Sequence, residues 1–167
     1  MRSRVLETCG IVRVQTWQSQ VDVPSKAAQW LGVALPEKAC TLTNGRADVL
    51  CIGPTDWLVL APDPDVAWLL QALEVAFDVD SFRATDVTQA LTRVEIEGAE
   101  VRALLAKGCS LDLHPYRYPP GHHARTRFGG MPVVVRCQRE TAFECIVASS
   151  YRDYLVSWLA DAAVEFY

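Results

Sequence analysis

The chain has 167 residues, of which 50% are hydrophobic and 22% are charged, and its formal net charge is −4. These values are typical of one globular domain, or of two small lobes sharing a core, that folds without disulfides or metal. The mildly acidic charge argues against a nucleic-acid-binding surface, which needs a concentrated basic face. Because the N-terminus lacks an uninterrupted apolar run and no segment is long enough to span a bilayer, we expect a cytoplasmic protein without a membrane segment.

The first half of the chain predicts a mixture of strands and helices. In chain order, the predicted elements are a strand at 9–16, a helix at 24–31, strands at 47–52 and 57–60 joined by a turn at 53–56, and a helix over 66–77. The two strands around the turn form a hairpin, and their continuous apolar runs imply burial on both faces. The second helix begins after the acidic Asp63–Asp65 segment, and its apolar residues recur at helical spacing.

The second half repeats this mixture. The predicted elements are a strand region at 86–96, a helix at 98–106, strands at 132–137 and 142–147, and a final helix capped by Ser149 or Ser150. Gly108 is predicted to be the C-cap of the first of these helices. The final helix has the clearest apolar face, formed by Tyr151, Tyr154, Leu155, Trp158, Leu159 and Ala162.

Two blocks of the chain share an order of elements. Residues 47–77 and residues 132–166 both run strand, turn, strand, helix, and each helix carries a Trp-Leu pair, Trp68-Leu69 or Trp158-Leu159. We therefore predict an α+β fold in a single domain (1–167) with two pseudo-repeated lobes, at about 1–85 and 86–167. Each lobe would offer an antiparallel sheet with helices packed on one face.

Catalytic motifs are missing from the sequence. It contains no glycine-rich phosphate-binding loop, no G-x-S-x-G and no H-E-x-x-H motif. The six cysteines form no C-x-x-C pair, so we predict buried thiols that pack as small hydrophobes, with Cys109 as the one candidate for a reactive thiol. Glu95, Glu97 and Glu100 are interpreted as a solvated face.

The segment YRYPPGHHARTRFGG at 116–130 concentrates histidine and arginine and has three interpretations. His114, His122 and His123 could bind a metal, although adjacent residues of an extended segment point to opposite faces. Arg117, Arg125 and Arg127 could clamp an anion. The favoured interpretation is a structured connection that contacts a partner, because Pro119 and Pro120 fix an extended entry and Gly121 permits a turn.

Four stretches occur in an order that resembles a known family: GPTDWLVLAP, DVTQALTRVEIEGAEVRALLAKGCSLDLHP, YPPGHHARTRFGGMPVVV and FECIVASSYRDYLVSWLADAAVEF. Together they are similar to the gamma subunit of the heterotetrameric sarcosine oxidases, over roughly residues 45–166. The most specific part is the run from Asp86 to His114, followed by Pro-Gly, by Arg125-Thr126 and then by the final strand and helix.

The resemblance implies a function in a complex. Those oxidases demethylate sarcosine to glycine, pass the one-carbon unit to tetrahydrofolate and reduce oxygen to hydrogen peroxide. The complex is expected to use FAD, FMN, NAD and tetrahydrofolate, and the gamma subunit to be a shortened form of the folate-binding aminomethyltransferase fold that holds no cofactor. Its partners would be the alpha, beta and delta subunits.

This reading predicts a structural subunit with no catalytic, cofactor-binding or metal-binding residues of its own. Six residues are the candidate partner contacts: Pro120, Gly121, His122, His123, Arg125 and Arg127. Two alternatives stay open. One is a stand-alone folate-binding one-carbon protein, in which Asp86 and the arginines of the 116–130 segment would contact the folate. The other is a subunit of a complex that oxidises another N-methyl amine. An isolated subunit is also a candidate for homodimerisation through its vacated contact surface.

Overall fold

The computed structural model describes residues 1–17, 42–43, 47–76 and 82–166, with only the backbone described at 42–43 and at Ala76. The described residues form two compact units. The first unit is Thr8–Gln89, and the second unit combines Met1–Glu7 with Ala90–Tyr167. The helix predicted at 24–31 and the aromatic residue at 77 lie outside the described residues.

The strands of the described part are β1 (Arg2–Val5), β2 (Gly10–Thr16), β3 (Leu42–Thr43), β4 (Asp48–Gly53), β5 (Asp56–Ala61), β6 (Phe82–Asp86), β7 (Leu91–Glu97), β8 (His123–Phe128), β9 (Met131–Arg139) and β10 (Ala142–Ala148). Its α-helices are α1 (Ala67–Ala76), α2 (Val101–Ala106) and α3 (Arg152–Ala163). Short 3₁₀ turns, Ser149–Tyr151 and Val164–Phe166, precede and follow α3. In the described ranges, no helix is long and apolar enough to cross a membrane.

The first unit is a five-stranded antiparallel sheet in the order β3-β4-β5-β2-β6. One face belongs to the core that includes α1, with members such as Val12, Val59 and Leu69. On the opposite face, Leu50 and Leu58 are also buried. The predicted β4–β5 hairpin and its burial on both faces are therefore confirmed.

The second unit is also a five-stranded antiparallel sheet, in the order β1-β7-β10-β9-β8. Alternate residues of its strands form a core with α2 and α3, and Phe143, Leu104, Leu105 and Leu155 are among its fully buried side chains. The predicted β9–β10 hairpin is confirmed, with an irregular register where Ala142 pairs with Arg139.

The two sheets have the same topology. In chain order, β2, β3, β4 and β5 hold the positions that β7, β8, β9 and β10 hold in the other sheet. The fifth position differs, because β6 follows the other strands of the first unit along the chain whereas β1 comes from the N-terminus. Leu69 and Leu159, from the two Trp-Leu pairs, are both buried. The α+β fold built from duplicated lobes is confirmed in this arrangement.

Gly108 has a role that differs from the predicted helix C-cap. The C-cap of α2 is Lys107, and Gly108 does not have the positive φ that a left-handed cap requires. A Cβ at Gly108 would instead lie 2.5 Å from Cε2 of Phe128. Glycine is needed here because the chain passes directly over an aromatic ring.

Candidate functional site

A compact loop at 112–118 links α2 to β8 and is fixed by its own hydrogen bonds. The amide of His114 donates to Oδ1 of Asp112 at 3.1 Å. The carbonyl oxygen of His114 then accepts from the amides of Arg117 and Tyr118, at 2.9 and 2.8 Å. These bonds make a closed turn in which the amides of His114, Arg117 and Tyr118 are satisfied within the loop.

Two buried side chains anchor the ends of this loop. Leu113 and Tyr118 both belong to the core of the second unit, and the Tyr118 hydroxyl donates to the carbonyl of Val135 at 2.7 Å. Between the anchors, His114–Arg117 are all exposed, and the side chain of Tyr116 is 85% exposed. We call His114–Arg117 the tip.

Arg102, on α2, binds both ends of this loop. Its guanidinium donates to the carbonyl oxygens of Leu113 and Tyr118, the second at 3.0 Å, and to that of Glu140 at 3.2 Å. The guanidinium also lies 4.9 Å from the centre of the Phe143 ring. The hydrogen bonds from this charged group hold the two ends of the loop in place, and the cation–π contact with Phe143 positions the guanidinium itself.

The chain then enters β8 through a turn at Gly121. Gly121 has a φ of +90°, which confirms the predicted need for glycine at this turn. Its amide donates to the carbonyl of Cys137 at 2.8 Å, and the amide of Cys137 donates to the carbonyl of His122 at 2.8 Å. The segment is therefore tied to β9, while Pro120 and the His122 side chain are exposed.

Strand β8 is an edge strand that pairs only with β9 among the described residues. Its burial alternates, so that Arg125 and Arg127 are exposed whereas His123 and Phe128 at its ends are buried. The hairpin closes on Gly129 and Gly130, with φ values of +53° and +87° that match a type I′ turn. Of the six predicted contact residues, His123 has its side chain buried within the chain, and whether the others touch a partner stays a prediction.

The three histidines do not converge. His114 is on the tip, the His122 ring centre lies 6.0 Å from the ring centre of Tyr118, and His123 is buried. Within the described residues, no group of three or more His, Cys, Asp or Glu side chains has the geometry to hold a metal ion. Arg125 and Arg127 share one face of β8, whereas Arg117 is on the tip.

A row of polar side chains crosses the second sheet on the face opposite its helices. The strand registers align the members of the row, from β1 to β8: Arg4, Glu95, Glu144, Arg136 and His123. Nε of Arg4 donates to Glu95 at 2.7 Å, and Arg136 donates to the fully buried Glu144 at 3.4 Å. Glu144 also accepts from Arg93 and from Gln138.

This row corrects the interpretation of Glu95 as part of a solvated face. Glu95 is only 8% exposed, and its carboxylate is held by Arg4. Glu97, two residues later, is half-buried and Glu100 is exposed. Glu95 and Glu97 share one face of β7, but Glu97 is the last residue of the strand, whereas Glu95 lies beside Arg4 of β1. The burial of Glu95 is tolerated because the Arg4 guanidinium neutralises its carboxylate.

The cysteines behave as buried thiols. Cys9, Cys51, Cys137 and Cys145 are buried and Cys109 is half-buried. Desolvation by burial raises the pKa of Cys109 above its ordinary value, which opposes formation of the nucleophilic thiolate. The sixth cysteine, at position 40, lies outside the described residues.

A cavity of about 330 Å³ opens between β1 and the helices of the second unit. The residues that line it are Met1, Arg2, Ser3, Ile96, Leu104, Leu159, Ala160 and Ala163. This lining contains no imidazole, thiol or carboxylate side chain, so it offers none of the usual general bases. Asp86, the candidate folate contact, belongs to the first unit, where its Oδ1 accepts from the amide of Thr88 at 2.9 Å.

The structural roles of Arg102 and Glu144 were missed from the sequence, although a signal was present. Arg102 is the only charged residue in the helix VRALLA, and Glu144 is the only charged residue in the strand AFECIVA. A single charge inside an otherwise apolar element must find a partner where that element is buried. That pattern identifies such residues but does not reveal which carbonyls or ions they bind.

The family comparison matches residues 20–165 to the family described as "Sarcosine oxidase, gamma subunit family". The chain is 28% identical over 138 residues to the sarcosine oxidase subunit gamma of Corynebacterium sp. (strain U-96), and 27% identical over 138 residues to that of Arthrobacter sp.. Both alignments cover 81% of this chain, and they cover 66% and 67% of the relatives. The chain thus spans about two thirds of the length of these curated relatives.

Solved structures with the same fold include two proteins. A chain of the heterotetrameric sarcosine oxidase from Corynebacterium sp. U-96, in complex with pyrrole 2-carboxylate, gives a TM-score of 0.89 at 23% identity and covers 98% of this chain and 84% of its own. The glycine cleavage system aminomethyltransferase T from Bartonella henselae gives a TM-score of 0.62 at 12% identity, covering 94% of this chain and 44% of its own. The predicted aminomethyltransferase-like fold is confirmed.

Proposed function

Because this chain belongs to the sarcosine oxidase gamma subunit family, we propose that it is a non-catalytic structural subunit of a sarcosine-oxidase-type complex. That complex would demethylate sarcosine to glycine and transfer the one-carbon unit to tetrahydrofolate. The observation that carries the proposal is the family match over residues 20–165. Its partners would be the alpha, beta and delta subunits in the cytoplasm.

The geometry of the second unit supports a structural role. Its buried charged residues are engaged in ion pairs within the sheet, as Glu144 is with Arg93 and Arg136. Its partly buried thiol, Cys109, has a raised pKa. The exposed features are instead a fixed tip and an edge strand, which are suited to contact with another protein. FAD, FMN, NAD and tetrahydrofolate would then be held by the other subunits.

Co-expression tests this function directly. The chain would be tagged and expressed with the alpha, beta and delta subunits encoded in the same genome, and the eluate would be analysed by size exclusion with flavin absorbance. We expect the tagged chain to elute with a flavin-bearing complex that forms hydrogen peroxide when sarcosine is added. Elution of the chain alone, while the other subunits assemble without it, contradicts the proposal.

A stand-alone folate-binding protein is the second candidate, and the similarity to aminomethyltransferase T is the observation that favours it. The residues first considered for folate fit poorly, because the Asp86 carboxylate caps a turn and the cavity in the second unit contains no carboxylate for a pterin. Titration of the purified chain with tetrahydrofolate by calorimetry separates the two functions. Heat of binding at micromolar ligand would favour this candidate.

A further inference from the structure

We infer that the tip, His114–Arg117, is the main anchor of this chain on its partner, and that it enters an apolar pocket with an acidic rim. The inference rests on the proposed function, since it names the contact through which the subunit would assemble. Tyr116 is 85% exposed, which is more than any other large hydrophobic side chain among the described residues. A protruding aromatic ring of this kind is typical of the residues that dominate binding energy at interfaces.

The tip is preorganised. Its backbone closes on the His114 carbonyl, and its two ends are bound by Arg102 through the carbonyls of Leu113 and Tyr118. Tyr118 adds a hydrogen bond to the β9 carbonyl of Val135. A segment that is already ordered loses little conformational entropy when it binds, so more of its contact energy is realised as affinity.

The chemistry of the tip indicates the kind of surface that it fits. The ring of Tyr116 needs an apolar pocket, and its hydroxyl needs a polar group at the end of that pocket. Arg117, beside it, is exposed and carries a positive charge on a chain whose net charge is −4. Carboxylates around the pocket would complement Arg117 and steer the encounter.

The test measures the affinity of purified variants for an assembly of alpha, beta and delta subunits prepared without this chain. Tyr116→Ala should weaken binding by about 30-fold or more, as expected for a buried aromatic anchor. Tyr116→Phe should bind within about threefold of wild type, because the ring supplies most of the contact. Arg117→Glu should weaken binding by about tenfold, with a reduced dependence on salt.

Two matched controls use exposed residues elsewhere. Tyr151→Ala removes an exposed tyrosine from the turn before α3, and Arg83→Glu reverses an exposed arginine of β6. Both should bind within about threefold of wild type, since neither lies on the tip. Circular dichroism and urea unfolding of every variant should match wild type, because the side chains changed are exposed.

The outcomes separate this inference from the proposed function. Binding of wild type together with undiminished binding of Tyr116→Ala and Arg117→Glu overturns the tip as the anchor and leaves the structural-subunit function standing. Failure of wild type to bind the assembly contradicts both. A homodimer of the isolated chain that dissociates on Tyr116→Ala, without any change in subunit binding, also overturns the inference, because the tip would then serve self-association.

Arg102 provides an independent check of preorganisation. Arg102→Met keeps an apolar stem beneath Phe143 but removes the donors to the two loop carbonyls. Binding should weaken although Tyr116 and Arg117 are unchanged. Unaltered affinity in a folded Arg102→Met variant would show that the tip is not held by this residue and would overturn the preorganisation step.

Discussion

The two units have one strand order but differ in chemistry on the sheet face that lies away from the helices. In the first unit this face carries buried Leu50 and Leu58, with one ion pair, Arg13–Asp56, beside them. In the second unit the corresponding face carries the ion pairs of the fully buried Glu144. The core on the helix side is apolar in both units. The topology therefore depends on that core and tolerates either buried leucine or buried paired charge on the other face.

The edge strand β8 is a further feature of the second unit. It has six residues and pairs only with β9 among the described residues. An edge strand offers backbone groups for pairing, and exposed charged residues such as Arg125 and Arg127 protect it against aggregation. The tip precedes this edge strand in the chain, so both features suited to recognition lie in the second unit.

Removal of Glu144 should cause the largest loss of stability and should show the clearest difference between the two units. Glu144→Ala leaves the buried guanidiniums of Arg93 and Arg136 without their carboxylate, and we expect a loss of about 3–5 kcal/mol in the free energy of unfolding. Leu50→Ala, on the equivalent face of the first unit, should lose about 2–5 kcal/mol through its cavity. Urea unfolding of both variants measures these losses.

The two losses should differ in how they respond to a second change. Adding Arg93→Ala to Glu144→Ala should recover part of the stability, because one fewer buried charge is left without its carboxylate. No comparable recovery is expected for Leu50→Ala, whose loss is a cavity. Equal stability of the single and double variants at Glu144 would mean that the row is not held together by its charges.

Two glycines provide a closer test of equivalence between the units. A Cβ at Gly10 would lie 2.3 Å from Cγ1 of Val66 and 2.4 Å from the backbone oxygen of Asp63, whereas a Cβ at Gly108 would lie 2.5 Å from Cε2 of Phe128 and would meet only that side chain. A side chain yields more readily than backbone, so Gly10→Ala should cost about 3 kcal/mol and Gly108→Ala about 1–2 kcal/mol. Thermal unfolding of each variant gives the comparison.

A compensating change separates the two glycines. Phe128→Leu removes the ring atoms that the new methyl group would meet, so it should restore part of the stability of Gly108→Ala and none of that of Gly10→Ala. The ring of Phe128 also packs edge-on against Trp158, with the two ring centres 4.6 Å apart. A larger loss of stability for Gly108→Ala than for Gly10→Ala would indicate that the segment around Phe128 is the more rigid of the two.

Much of the fold could be predicted because the strands and helices carry local patterns. The hairpins at β4–β5 and β9–β10 follow from apolar runs on either side of polar turns, and the repeat follows from their order. The contribution of β1 to the second unit could not be predicted in this way. Strand β1 pairs with β7 through residues more than 85 positions apart in the sequence, such as Arg4 and Glu95. The local pattern of apolar residues in β1 does not indicate which distant strand it pairs with.

The candidate site was predictable only in part. Proline, glycine and arginine marked 116–130 as a structured segment, but two of the residues that hold the tip, Leu113 and Arg102, precede that segment in the chain. Gly108 was misread because a glycine after a helix has two explanations, a left-handed cap or a close contact, and only the position of Phe128 decides between them. Glu95 was misread because its burial depends on the whole sheet rather than on its neighbours in sequence.

The smallest predicted effect concerns the pH dependence of stability and the two faces of β10 in the second unit. Glu144 faces guanidiniums and Cys145, one residue later, faces the apolar core. Desolvation by burial, together with the nearby Cys109 and Glu144, raises the pKa of Cys145 well above its ordinary value.

The folded state therefore holds the thiol proton when the unfolded state has already lost it, so stability should fall as the pH rises past the pKa of an unfolded cysteine. We expect Cys145 to account for roughly 1–2 kcal/mol of that fall between pH 8.5 and pH 10. Urea unfolding across this range should show a shallower fall for Cys145→Ala than for wild type. Identical slopes would mean that water or a cation reaches β10 on the side of the core, and the contrast between its two faces would then be smaller than the structure indicates.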